Sequence, residues 1–171
     1  LATFSGNITE KLTSIDRHFK TSLTNMKLET VDCLMVHHVK DLIAQNSRAY
    51  TDFLERQKIK GRTIRIGVSV YELKEIEQLL ELPLSIDVIQ VPASIADDRL
   101  ERNGILKVLK GKDIEIHARS VFLQGILLMN TDRIPFSLAE LRDYVLALDK
   151  ACQLASASKL DACLAWGLNN R

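Results

Sequence analysis

The chain has 171 residues, 46% of them hydrophobic and 26% charged, and its 23 basic side chains nearly balance its 22 acidic ones. That is the composition of a globular domain long enough to bury a core, and a net charge of +1 gives no electrostatic reason to expect a nucleic-acid or membrane partner. No apolar run approaches the roughly 18 residues of a membrane helix, and no charged-then-apolar leader opens the chain.

The first helix is expected over residues 8–26, where Ile8, Leu12, Ile15, Phe19 and Leu23 recur at helical spacing and Asn7 or Thr9 can cap it. Lys27-Leu28-Glu29 then turns into a first strand over 31–36, and residues 39–47 read as a loop or short turn. A helix over 48–57 carries Tyr50, Phe53 and Leu54 on one side, with Gly61 just past its end. The second strand is expected over 63–68, a helix over 71–80, and a third strand over 86–91 that ends at Pro92, which cannot donate to the ladder. Asp97 or Asp98 can begin one helix running to residue 110, closed by Gly111. A fourth strand follows over 114–118. Residues 120–136, with Gly125 and Pro135, form the longest irregular stretch. Ser137 and Glu140 have capping-box spacing for a helix over 137–155, and a last helix is expected over 159–168.

The strands are rich in Val and Ile and show little alternation, as parallel strands buried on both faces do. Strands alternating with helices give an α/β fold with right-handed crossovers. Ligands in such folds bind beyond the carboxyl ends of the strands. Four apolar runs, VDCLMVHH, TIRIGVSV, IDVIQVPAS and IEIHARS, carry His37, Ser69, Gln90 and Arg119-Ser120 at or near those ends. These polar residues are therefore candidate members of one site. GxGxxG and GxxxxGK[ST] loops are absent, as are HExxH, a nucleophile elbow and a close carboxylate pair. No metal site is expected.

Each candidate has a functional and a structural reading. An imidazole at His37 can donate or accept near neutral pH, or it can be satisfied by backbone at a strand end. His38 should point the opposite way, because side chains alternate along a strand. A buried glutamine needs partners for carbonyl and amide, so Gln90 suits a ligand carboxamide, or else a neighbouring loop. The stretch from Ser120 to Gly125 can receive phosphate oxygens or form a plain turn. His117 reads as a wall residue, and His18 has no partner pattern. Asp32 and Asp87 fall early in strands, where a role in stability is expected. The three cysteines, Cys33, Cys152 and Cys163, have neither the even count nor the CxxC spacing of a disulfide framework or zinc site. They read as buried free thiols, which fits a cytoplasmic location.

Taken in order, these segments resemble the aldo/keto reductase family, an eight-stranded (β/α) barrel of NADPH-dependent carbonyl reductases. VDCLMVHH resembles the family's fourth-strand motif ending in the active-site histidine. GVSVYE resembles its GVSNF motif, IDVIQVPAS its Q-bearing sixth strand, and HARSVFLQGILL its seventh-strand AYSPLGxGLL. CLAWGLNN is similar to the seventh helix. The resemblance covers nearly all of the chain, as a single domain over 1–171, and implies a (β/α)8 TIM-barrel fold of which about half is present, from strand four to helix seven. It also implies that His37 orients a small-molecule carbonyl substrate and assists proton donation. Ser69 and Gln90 would hold the nicotinamide carboxamide of NADP(H). Ser120 and the loop through Phe122, Gln124 and Gly125 would approach the pyrophosphate. Two residues depart from the pattern. Val70 stands where the family usually has asparagine, and Arg119 stands where an aromatic residue usually stacks on the nicotinamide.

A full barrel takes about 250 residues. The family's Asp, Tyr and Lys belong to earlier elements, and Tyr50, Tyr71 and Tyr144 all fall in expected helices. The chain is thus expected to be part of a longer protein or to self-associate through exposed barrel edges, and to be catalytically silent alone. The leading reading is hydride transfer between NADP(H) and a carbonyl or alcohol. The alternatives are a non-catalytic NADPH-binding regulatory subunit of the same fold, or another TIM-barrel isomerase or lyase.

Overall fold

The structure, a computed structural model, describes residues 7–44, 47–97 and 99–169. Helix α1 spans Ile8–Met26, and Asn7 caps it by accepting from the Glu10 amide at 3.0 Å. It stops at Lys27, whose left-handed backbone (φ 57°) turns the chain into strand β1, Val31–Val36. The loop or short turn expected at 39–47 contains a one-turn helix, α2 (Lys40–Ile43). Val39 and Leu42, three residues apart, are both buried and hold that turn down. Residues 45 and 46 lie outside the described set. Helix α3 is Ser47–Ile59, and Gly61, at φ 68°, leads into β2, Thr63–Ser69.

Helix α4, Leu73–Leu80, begins later than its apolar pattern suggests. The Glu75 carboxylate accepts from the amides of Tyr71 and Glu72, at 2.7 and 3.0 Å. That box fixes Glu72 as the cap and leaves Tyr71 outside the helix, half exposed. Strand β3 is Val88–Pro92. The single helix expected over 97–110 is two, α5 (Arg99–Arg102) and α6 (Ile105–Gly111), divided at Gly104 with φ 74°. The Asn103-Gly104 pair was the local signal for that break. Asp98, one of the two expected starters, lies outside the described residues, while Asp97 accepts from the Arg99 amide at 3.3 Å.

Strand β4 is Glu115–Arg119, and the stretch after it holds three 3-10 turns, at Leu123–Leu128, Thr131–Arg133 and Phe136–Leu138. Ser137 sits in the last turn, so the expected Ser137–Glu140 box does not start helix α7, Leu141–Leu154. Its cap is Glu140, with no side-chain bond. A reciprocal box does start α8, Lys159–Asn169. There the Asp161 amide donates to Ser158 Oγ at 3.0 Å, and the Ser158 amide to the Asp161 carboxylate at 3.3 Å.

The strands hydrogen-bond in the order β1-β2-β3-β4, with β1–β2 and β2–β3 parallel. Register pairs Val36 with Val68, Val68 with Ile89, and Ser69 with Gln90. β2 and β3 are largely buried, as their continuous apolar runs require, whereas β1 and β4, at the ends of the order, are only partly covered.

The chain forms two compact units, residues 1–90 with 113–115 and residues 91–112 with 116–171. In the first, Leu42, Ile66, Val68, Ile76, Leu79 and Ile89 are essentially inaccessible. The second is built on Leu127, Ile134, Val145, Leu148, Cys152 and Cys163. All three cysteines are free, but Cys33 is only half buried, because it lies on the sparsely covered β1.

Gly67 is required by close approach. A Cβ there would lie 2.7 Å from the Met35 terminal carbon, 2.8 Å from its sulfur and 2.9 Å from Cys33 Sγ. Gly67→Val is therefore expected to cost about 2 kcal/mol in urea unfolding. Gly67→Ala should cost less, since the Met35 tip can swing aside, and Met35→Ala in the same chain should recover part of the loss.

Asp16 accepts from Lys20 (2.8 Å) and Arg62 (2.9 Å). The Lys20 hydrogen bond, aided by the positive charges of Lys20 and Arg62, holds its carboxyl below the usual range against the opposing effect of burial. The Arg99 hydrogen bond does the same for Asp97. Because both folded-state pKa values lie below the unfolded ones, ionised Asp16 and Asp97 stabilise the fold above the ordinary carboxylate pKa, and this stabilisation is lost as pH falls through the folded values. The melting temperature should drop less on acidification in an Asp16→Asn, Asp97→Asn double variant than in the parent.

Candidate functional site

The first unit brings three of the expected residues to adjacent carboxyl ends. His37 is the residue after β1, one step past the Val36–Val68 pair, and Ser69 is one step past Val68 on β2. Ser69 faces Gln90 of β3 as its register partner. The Ser69 hydroxyl donates to Gln90 Oε1 at 3.4 Å, and the Val70 amide donates to the Gln90 carbonyl at 2.9 Å. Ser69 is 1% exposed, whereas Gln90 is half buried. Parallel pairing thus fixes a hydroxyl and a primary amide side by side, with the backbone of one residue locked to the neighbouring strand.

Val70 is fully buried. Its backbone hydrogen bond to Gln90 is a fixing contact that the residue type did not suggest, because the backbone and not the side chain makes it. His37 and His38 are both exposed and meet edge to face, ring centroids 4.7 Å apart at 60°. The expected opposite orientation of His38 fails because both residues lie past the last ladder residue, where the pleat no longer imposes alternation.

The second unit holds the remaining candidates. The Arg119 carbonyl, at the end of β4, accepts from the Ala93 amide at 3.0 Å. Ser120 then adopts φ 58°, and Leu123, Gln124 and Gly125 follow at 47°, 58° and 90°. The Leu123 amide donates to the Ser120 carbonyl (2.7 Å), and those of Gly125 and Leu127 to the Phe122 carbonyl (2.9 and 3.3 Å). Leu127, 1% exposed, anchors the coil in the core. The segment is therefore a defined coil. Left-handed backbone at three non-glycine residues costs about 1–3 kcal/mol each, and such strain gathers at functional sites. Since the Gly125 amide is used inside the coil, that residue contributes its conformation.

Asp32 and Asp87 lie at strand beginnings, the end assigned to stability. Arg65 of β2 donates to Asp32 of β1 and to Glu115 of β4. Asp87 accepts from Lys58 at 2.7 and 2.9 Å and from the Ile66 amide at 2.8 Å. Among the described residues, no group of three or more His, Cys, Asp or Glu side chains is placed to hold a metal, and no helix is long and apolar enough to cross a membrane.

The family model of the aldo/keto reductases matches residues 6–171. The chain belongs to the aldo/keto reductase family. Solved structures agree on the fold. A glycerol dehydrogenase of Gluconobacter oxydans superposes with a TM-score of 0.72 at 21% identity, over 93% of this chain and 52% of its own. An aldo/keto reductase of Klebsiella pneumoniae, solved with NADP and acetate, gives 0.63 at 16% identity, over 89% and 50%. The apo form of an aldo-keto reductase of Bacillus halodurans gives 0.65 at 22% identity, over 81% and 48%. No curated protein matches the sequence. This aldo/keto reductase family chain spans about half the length of the solved chains it matches, and its four-stranded sheet with alternating helices is part of a (β/α)8 barrel.

Fit to a nicotinamide can be tested on the Ser69–Gln90 pair. A carboxamide offers one acceptor and two donors. The half-buried Gln90 amide can donate to its carbonyl and accept from its nitrogen, while Ser69, 1% exposed, holds the Gln90 side chain through its hydroxyl. The donor set fits.

Proposed function

We propose that this chain is the cofactor-holding part of a cytoplasmic aldo/keto reductase barrel whose parent protein transfers hydride between NADP(H) and a small-molecule carbonyl or alcohol. In this reading the 171 residues form one partial-barrel domain. The observation that carries it is the Ser69–Gln90 pair, a hydroxyl and an amide matched to a carboxamide and fixed by parallel register. When bound, the nicotinamide supplies or accepts the hydride. Ser69 and Gln90 orient it, while His37 holds the substrate oxygen and assists proton delivery. In the second unit, Arg119, Ser120, Phe122, Gln124 and Gly125 form the segment that receives the pyrophosphate. The chain alone is silent, because the family's Asp, Tyr and Lys have no counterpart among the motifs it carries.

A fluorescence titration of the parent protein with NADPH tests this. Gln90→Ala should weaken binding about tenfold, the loss expected when one hydrogen-bonding partner is removed. His37→Ala should leave binding intact and lower kcat about a hundredfold. Unchanged NADPH affinity in Gln90→Ala would remove the assignment, and ordinary aldehyde reduction by the isolated 171-residue chain would refute its silence. The buried valine at position 70, where the family has asparagine, favours a second reading, a non-catalytic NADPH-binding subunit. NADPH binding without turnover in the parent protein would decide for it.

A further inference from the structure

A cavity of about 160 Å³ in the first unit takes no part in the proposed cofactor site. Ile15 and Phe19 of α1, Leu34 and Val36 of β1, and Phe53 and Leu54 of α3 supply its apolar wall. Polar groups enter from one side, where Asp41 and Tyr50 also line it. Lys11 Nζ donates to Asp41 Oδ1 at 3.2 Å and stands 5.2 Å from the centre of the Tyr50 ring. That contact fixes Asp41 and leaves its Oδ2 as an acceptor.

The volume and the wall define what fits. An engineered cavity of about 150 Å³ lined by Leu, Ile and Phe stays dry and takes benzene or xenon. Here the wall is of the same chemistry and the volume is that of a single ring. The space opens to solvent at its polar side, where the Asp41 side chain is 42% exposed, and a bound ring would displace water from an apolar wall that gives that water few polar partners. Three aromatic side chains, Phe19, Phe53 and Tyr50, give a flat ring faces and edges to pack against. The Lys11–Asp41 ion pair at the polar side is already neutralised within itself, so it offers a charged ligand no uncompensated partner.

We propose that this cavity is a binding site for a neutral, single-ring aromatic molecule of the phenol class. The ring lies among Ile15, Phe19, Leu34, Val36, Phe53 and Leu54, and the hydroxyl donates to Asp41 Oδ2. No covalent step is involved, and the site does not depend on the cofactor reading.

The test uses the 171-residue chain with phenol and benzene as probes, followed by thermal unfolding and by NMR. Phenol at millimolar concentration should raise the melting temperature saturably and show intermolecular contacts to the Leu34 and Val36 methyl groups. Benzene should bind the same methyls about tenfold more weakly, for want of the hydrogen bond to a charged acceptor. Asp41→Ala should bring phenol down to the level of benzene and leave benzene unchanged. Val36→Phe, which fills the space, should abolish binding of both. If that variant fails to fold, the contact map in the parent chain decides. Absence of a saturable phenol effect in the folded chain, or contacts to methyls elsewhere, would overturn the proposal.

Discussion

Ile89→Ala is expected to destabilise the chain by about 4 kcal/mol, the upper part of the range for a large buried aliphatic cut to a methyl. Ile89 is fully buried in β3 and is registered against Val68, itself fully buried in β2. Strands held on both sides cannot collapse into the space, so the loss includes the cavity as well as the transfer of the removed carbons. Domains of this size are stable by roughly 5–15 kcal/mol, so the change should move the urea midpoint by a large fraction of its value. Ile89→Val is the control and should cost about 1 kcal/mol. A loss under about 1 kcal/mol for the alanine variant would mean that β3 is not packed as described.

Asp87→Ala is expected to cost about 3 kcal/mol. The exposed part of the Lys58 contact is worth little, since the Lys58 side chain is 37% exposed. The larger effect is on the Ile66 amide, which donates to the Asp87 carboxylate at 2.8 Å from a residue 1% exposed. Alanine would leave that donor buried without its acceptor. Asp87→Asn keeps an acceptor oxygen in place and should recover at least half of the loss in the same unfolding measurement. Equal losses in the two variants would assign the effect to charge instead.

Local chemistry made much of the fold legible. The apolar period and Asn7 mark α1 as Ile8–Met26, and β1 runs over the expected 31–36 because its boundaries are set by adjacent polar residues. Helix α7 starts later than its box spacing predicts, for an equally physical reason. Ser137 and Glu140 have the spacing of a box, but the segment before α7 is a 3-10 turn held by the core residue that precedes it. Ile134 is buried at 2% exposure, and Arg142 donates to its carbonyl at 2.8 Å. A capping motif is a weak local preference, and a buried side chain whose carbonyl is also held by a side-chain hydrogen bond outweighs it. Tyr71 was lost from its expected helix in the opposite way, to a box at Glu72 and Glu75 that apolar spacing had hidden. The His37, Ser69 and Gln90 candidates were visible because polar residues near the ends of apolar strands stand out against their neighbours.

Residue type and period are enough to mark which segments are strands, that they alternate with helices, and, through four ordered motifs, the family they resemble. These depend on period and residue type, which act over a few neighbours. It took the packed chain to make Ser69 and Gln90 register partners, to leave room at Gly67 for Met35 and Cys33, and to line a single-ring space with α1, β1 and α3. Register, close approach and a lined space each arise between residues far apart in the chain, and no local pattern encodes the offset that brings them together.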